Sequence, residues 1–164
     1  MIEIRKASTA DAAAINEIYN HYVLNSVVTF DIDPSDVSFW EEKITHLEHL
    51  GLPFIVAESE NEILGFAYAS PWRPKAAYRQ TVEDTIYLSP KAIRQGLGTR
   101  MLQELIERCQ KAEIKEMIAV ISADGAEASI AIHESFGFVI NGRLTNVGFK
   151  FNRWLGTVLM QRSL

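Results

Sequence analysis

One stretch constrains the fold of this chain more than any other. Thr81-Val82-Glu83-Asp84-Thr85-Ile86-Tyr87-Leu88, rich in β-branched and aromatic side chains, leads through Ser89-Pro90 into Arg94-Gln95-Gly96-Leu97-Gly98-Thr99. Beyond it Met101, Leu102, Leu105, Ile106 and Cys109 recur at helical spacing. The first part predicts a strand and the last a helix from Gly98 through Ala112 with one apolar stripe. A strand that turns directly into an amphipathic helix lays that helix on a sheet face, which points to an α/β layered domain. Two near-adjacent glycines let the backbone turn sharply and come close to a ligand. The helix start behind them offers free N–H groups and a positive dipole end, a combination suited to a pyrophosphate, with Lys91 and Arg94 adding positive charge. By itself the segment is as compatible with a plain glycine-rich turn. A P-loop needs Lys after its last glycine, and Gly98 is followed by Thr99-Arg100. A dinucleotide fingerprint needs a third glycine where Met101 stands. Both are excluded by spacing.

The remaining pattern supports one mixed sheet. Ile2 to Lys6 alternate as a short strand, and Ser8, Thr9 and Asp11 mark a helix start whose stripe is Ile15, Ile18, Tyr19, Tyr22 and Val23. A second helix is expected from Ser35 to Gly51, a glycine suited to a left-handed terminator. Phe54–Ala57 and Ile63–Ser70 flank a polar turn, Glu58 to Glu62, as in a hairpin. Met117–Ile121 is a short apolar strand, Glu127 to Phe136 a helix, and Phe138–Leu144 and Leu155–Gln161 are closing strands joined by a long aromatic connection. The expectation is an α/β (α+β) fold with a mixed, mostly antiparallel sheet of about seven strands and helices on both faces.

The chain has 164 residues, fitting one domain over 1–164, and a net charge of -5 with both signs interspersed. That balance argues against nucleic acid or an anionic membrane as partner, and no apolar run approaches the ~20 residues that span a bilayer. A single cysteine, Cys109, allows neither an internal disulfide nor a cysteine-based metal site. A cytoplasmic protein without a metal is expected.

Three further features carry chemistry. Glu83 and Asp84 interrupt an apolar strand, and alternation puts them on opposite faces, so one faces the interior or a cleft; the plainer reading is a salt-bridged acid on a half-exposed strand. His133 sits near the end of a helix stopped by Gly137 and is a proton donor by type, although a lone helical histidine is most often filler. Arg73, Lys75 and Arg79 are interleaved with Trp72 and Tyr78 between two strands, where arginine forks suit an anionic substrate; an ordinary solvated loop has the same composition.

In this order, these pieces resemble the GNAT superfamily of N-acetyltransferases. Ile18-Tyr19-Asn20-His21-Tyr22-Val23, Trp72-Arg73, Tyr78-Arg79, Thr81-Val82-Glu83, Ile86-Tyr87-Leu88 and Val147 through Leu155 are similar to its phosphinothricin/methionine sulfoximine N-acetyltransferase group. The resemblance spans nearly the whole chain. It implies acetyl-CoA as co-substrate, a small amino-acid-like acceptor and a homodimer. It assigns Ile86, Tyr87 and Leu88 to the pantetheine arm and Arg94, Gln95, Gly96, Leu97, Gly98 and Thr99 to the pyrophosphate. Arg73, Lys75, Glu83, Asp84 and Thr85, with Arg79 and Phe30 nearby, fall to the acceptor pocket. Glu83 is then the base, acting through a water, and His133 stands where many members place a tyrosine acid. Two positions depart from the pattern: Ile93 replaces a usual Gln or Arg, and Ala126 replaces a pantetheine-binding Asn. An acetyltransferase for protein N-termini or polyamines is the nearer alternative and a non-catalytic acyl-CoA-binding module the more distant one. Glu83 and His133 speak against the second, and the basic loop against an acidic groove for the first.

Overall fold

The computed structural model describes residues 1–164. The elements are β1 (Glu3–Lys6), α1 (Ala12–Asn25), α2 (Val37–His49), β2 (Phe54–Ser59), β3 (Glu62–Pro71), β4 (Thr81–Leu88), α3 (Leu97–Lys111), β5 (Glu116–Ser122), α4 (Glu127–Ser135), β6 (Val139–Lys150) and β7 (Arg153–Ser163). One sheet takes all seven strands in the order β1-β2-β3-β4-β5-β7-β6. Every neighbouring pair is antiparallel except β4–β5, which is parallel and needs α3 as its crossover.

The expected layers follow from which residues each strand turns to which side. Ile55, Ala57, Ala67, Ala69 and Val82 meet Leu97, Met101, Leu102, Leu105 and Cys109 of α3. The alternate residues Phe54, Val56, Phe66 and Tyr68 meet Ile15 and Val23 of α1 and Trp40, Ile44 and Leu47 of α2. β2 and β3 are thus covered on both faces, which is why they read as continuous apolar runs rather than as alternation. Small residues dominate the α3 side of the sheet and let that helix sit close, while aromatics fill the α1/α2 side.

Local signals account for the ends. Asp11 accepts the Ser8 backbone N–H at 2.8 Å, and Arg5 holds both Asp11 oxygens at 2.8 and 2.9 Å. The α2 cap is Asp36, whose carboxylate accepts the Phe39 N–H at 3.0 Å. Ser35 precedes it, and its hydroxyl accepts from Trp40 Nε1 at 3.0 Å instead. Gly51 terminates α2 in the left-handed region with φ 69°. The β2–β3 turn is tighter than the sequence suggests, resting on Glu60 and Asn61, both at positive φ.

The connection expected between the last two strands is itself strand. β6 and β7 run on as a ribbon to a turn at Phe151 and Asn152, at φ 50° and 59°. β6 exposes side chains on both faces along almost its entire length. It therefore shows no period of two in its hydrophobicity, the signal on which a strand assignment depends.

One irregularity positions the site. β4 pairs with β5 only over Thr81–Glu83 against Glu116–Ile118. Beyond Glu83, β4 stays paired with β3 as far as Leu88, and β5 with β7 as far as Ser122. The two parallel strands therefore part, and each turns an unpaired edge to the gap.

Candidate active site

A cavity of about 320 Å³ occupies this gap. It is lined by Glu83 through Leu88 from β4, Val120 through Ser122 from β5, and Ser129, Ile132 and His133 from α4. Gly98 of α3, Ile93, Tyr22, Val28 and the Asp124-Gly125-Ala126 turn complete it. Backbone groups on a strand edge that faces a cavity need partners, so the gap is suited to an extended ligand carrying amides.

At the mouth, Arg94 and Gly96 both adopt left-handed conformations, φ 64° and 73°. Together with the N-terminus of α3 they form a concavity of backbone N–H groups. A Cβ at Gly96 would meet nothing within 4 Å, and one at Gly98 would come no closer than 3.7 Å to Ile132 and Leu88. The rim is open where a diphosphate needs to approach. Arg94, Gln95 and Thr99 are exposed around it, while Leu97 is buried and anchors the helix start.

β4 separates its two acids by face. Val82, Ile86 and Leu88 pack toward α3, and Asp84 lies in that same alternation; Tyr87 packs toward α1 and α2, together with Glu83 and Thr85. Because the strands part here, both acids border one opening. Asp84, which the resemblance assigned to the acceptor pocket, lines the cavity and also meets His133: Nε2 lies 3.1 Å from Asp84 Oδ2. His133 Nδ1 donates to the Ser129 carbonyl at 2.7 Å, because a carbonyl only accepts. One proton is therefore shared between Nε2 and the Asp84 carboxylate. Burial works to lower the His133 pKa, but the hydrogen bond and charge of Asp84 outweigh it and lift the value above the usual imidazole range.

Glu83 has no direct ion pair. Burial raises its carboxyl above the ordinary range, neighbouring Asp84 raises it further, and the positive charges of Arg73 and Lys43 act against both. A carboxylate with a raised pKa at a cleft is a candidate proton acceptor near neutrality.

The other side of β4 is covered by α1, α2 and the segment between them. Tyr19 Oη donates to Asp31 at 2.5 Å and lies 2.8 Å from the Thr29 hydroxyl. The buried Lys150 of β6 donates to the Thr29 carbonyl at 3.0 Å, and Phe30 lies against Gly148. Thr29-Phe30-Asp31 is thus clamped between a helix and the β6–β7 ribbon. Arg73 stacks over the Trp72 ring with its guanidinium carbon 4.5 Å from the centroid. Lys75 and Arg79 flank a single exposed turn in the β3–β4 connection and do not line the cavity.

Sequence reasoning missed several contributors. Tyr22 stood in a buried stripe and in the family-like motif with no role of its own, yet its hydroxyl donates to the Leu88 carbonyl at 2.5 Å and holds the end of β4. Ser122 Oγ is buried without a partner in the cavity wall. Lys43 gave no signal at all, being one cation on a helix.

A family model described as the acetyltransferase (GNAT) family matches residues 15–138. The chain belongs to the GNAT acetyltransferase family. A phosphinothricin N-acetyltransferase of Alcaligenes faecalis is 42% identical over 161 residues, 98% of this chain and 82% of that protein. An L-methionine sulfoximine/L-methionine sulfone acetyltransferase of Salmonella typhimurium is 37% identical, covering 98% of this chain and 94% of that protein. Among solved structures, a phosphinothricin acetyltransferase from Sinorhizobium meliloti in complex with acetyl-CoA superimposes with a TM-score of 0.95 at 41% identity, covering 99% of this chain and 88% of that one. The chain is an N-acetyltransferase that uses acetyl-CoA, and the parted strands and the open Gly96–Gly98 rim of this GNAT domain fit that co-substrate.

Proposed function

We propose that this acetyltransferase acetylates the α-amino group of a small amino-acid analogue of the phosphinothricin, methionine sulfoximine or methionine sulfone type, within one domain over 1–164. The observation that carries this reading is the division of labour on β4. One acid, Glu83, faces a cationic acceptor side, and the other, Asp84, is paired with His133 on the coenzyme side.

Acetyl-CoA supplies an acetyl thioester, and Ile86, Tyr87 and Leu88 with the Arg94–Thr99 loop are the residues to hold it. Glu83 takes a proton from the acceptor ammonium, directly or through a water, because only the neutral amine is a nucleophile. A backbone N–H on the free edge of β4 near Leu88 would stabilise the negative charge that develops on the acyl oxygen. The His133–Asp84 pair holds a proton for the departing sulfur; thiolate leaves readily at neutral pH, so this contribution is modest. Arg73 orients the acceptor's carboxylate, with Lys75 and Arg79 at the outer rim and Phe30 and Thr85 as walls. Much of the rate then comes from holding two bound reactants in position.

We place the enzyme in the cytoplasm, where acetyl-CoA is available, and read it as a homodimer. The β6–β7 ribbon supports the dimer, leaving Val147, Phe149, Phe151 and Trp154 exposed. Small amino acids rather than nucleic acid or membrane are its partners.

The test is thiol release from acetyl-CoA with a panel of amino-acid analogues, a polyamine and an N-terminal peptide. Turnover of the analogues is expected, and turnover of the peptide or polyamine alone would overturn the reading. Glu83→Gln is expected to lower kcat/KM at pH 7 by about 100-fold or more. In the parent enzyme kcat/KM should fall as pH drops through the Glu83 pKa, above the ordinary value of 4.5. A Glu83→Gln enzyme with full kcat/KM at neutral pH removes Glu83 as the base.

A further inference from the structure

The acceptor side of the cleft holds a cation that the reading above leaves idle. Lys43 projects from the middle of α2, beside the stripe of Trp40, Ile44 and Leu47 that enters the core. Its ammonium lies 4.7 Å from the centroid of the Tyr68 ring and 5.5 Å from that of Phe39. Tyr68 pairs with Thr85 in the β3–β4 register, and two residues on, Ser70 pairs with Glu83. Tyr68, Thr85 and Glu83 therefore share one sheet face, and Lys43 stands over it. No carboxylate comes within 4.0 Å of Lys43 to form an ion pair. The two acids that feel its charge, Asp31 and Glu83, are otherwise engaged: Asp31 accepts the Tyr19 hydroxyl, and Glu83 faces the reacting amine. Burial depresses the Lys43 pKa, partly offset by those two acids. A half-desolvated ammonium held on aromatic faces without an anion in contact is a costly arrangement that a ligand anion relieves.

We infer that Lys43 is a specificity-determining residue, its ammonium binding the oxygen-bearing head at the far end of the acceptor's side chain while Arg73 takes the α-carboxylate. This rests on the amino-acid-analogue reading and deepens it. The two cations differ in the way the two ends of such a substrate differ. A carboxylate is planar and well matched to the fork of Arg73. A phosphinate, sulfone or sulfoximine head is tetrahedral, with oxygens on one side and a methyl group on another. A point charge set between aromatic rings meets both halves, the ammonium taking an oxygen and Tyr68 or Phe39 the methyl. The acceptor class is thus an amino acid whose side chain ends in a compact, oxygen-bearing, methyl-capped centre.

The experiment compares Lys43→Met, Lys43→Gln and Lys43→Arg with the parent enzyme on phosphinothricin, methionine sulfone and methionine, the last serving as acceptor or competitive inhibitor. All three share the α-amino acid portion, and only methionine lacks head oxygens. Lys43→Met is expected to raise KM for phosphinothricin about 10- to 100-fold, that for methionine sulfone less, and the KM or inhibition constant for methionine under about 3-fold. Lys43→Arg should recover most of the loss. The dissociation constant of acetyl-CoA should stay unchanged, because Lys43 does not line the cavity between the parted strands. Unchanged phosphinothricin-to-methionine selectivity in Lys43→Met, or in Lys43→Gln if the first fails to fold, overturns the inference, as does an equal loss on all three acceptors. A parent enzyme that turns over none of the analogues instead overturns the amino-acid reading itself, and that result appears before any variant is made.

Discussion

Ser122 ends β5 with a buried hydroxyl that finds no partner within the protein, and it lines the cleft. Four residues on, Ala126 occupies the N-cap of α4, where the resemblance would place a pantetheine-binding asparagine. A buried polar group left unpaired costs stability, and pairing it with a ligand returns a modest net gain. Ser122 thus offers the hydrogen bond that Ala126 cannot. The two halves of this statement have opposite signs in one substitution. Ser122→Ala should leave the melting temperature of the ligand-free protein unchanged or slightly raised, read by scanning fluorimetry. It should also weaken coenzyme binding about 3- to 10-fold, read by titration calorimetry, in keeping with roughly 0.5–1.5 kcal/mol for one hydrogen bond. A fall in stability with unchanged binding would assign Ser122 to packing alone. At this scale the site was half legible in the sequence. Alternation placed Glu83 and Asp84 on opposite faces, but which face each took depends on which helices cover the sheet. Asp84 therefore turned out to belong with His133, 49 residues along the chain. The roles of Lys43 and Tyr22 were invisible because Tyr68 of β3 and Leu88 of β4, which they meet, lie far from them in sequence.

Elements whose burial follows a period were legible almost to the residue. β4 spans Thr81–Leu88 as its β-branched run suggests, and α3 follows the stripe Met101, Leu102, Leu105, Ile106 and Cys109. The far end of the β6–β7 ribbon, residues 145–154, was not, because β6 meets solvent on both faces there and no alternation marks it. Its role shows only in three dimensions: Gly148 lies under the Phe30 ring, and Lys150 grips the Thr29 carbonyl. A Cβ built at Gly148 would stand 2.5 Å from Phe30 Cε2. Gly148→Ala must therefore shift the Thr29–Asp31 segment or the ribbon, an overpacking that costs about 1–3 kcal/mol. Its functional mark should be selective. KM for the acceptor should rise several-fold while the coenzyme dissociation constant holds, because the segment lies on the acceptor side of β4. Loss of coenzyme affinity to the same extent would show that the ribbon braces the whole cleft rather than one side.

The strand order leaves two edges, β1 and β6, and they differ in kind. β1 is only 4 residues long, and its Arg5 is tied to Asp11 and Glu58. β6 runs for 12 residues and, with the turn and β7, exposes Val139, Leu144, Val147, Phe149, Phe151 and Trp154. A long apolar edge is an aggregation liability unless something covers it. A second copy related by a two-fold axis would bring the same ribbon to meet it. Phe149 and Trp154 face each other across the ribbon, rings 5.2 Å apart, and form the natural anchor of such an interface. Sedimentation velocity should therefore give a dimer for the parent protein and a folded monomer for the Phe149→Ser, Trp154→Ser double variant. A stable dimer buries at least about 1,000 Å² in total, so removing two central aromatics should suffice to break it. The monomer's defect is expected to fall on the acceptor side, because the same ribbon carries Gly148 and Lys150, and those residues hold the Thr29–Asp31 wall. Its kcat/KM for the acceptor should drop while coenzyme binding persists. A double variant that remains dimeric would move the interface elsewhere, and a monomer with undiminished acceptor kinetics would separate association from the shape of the acceptor pocket.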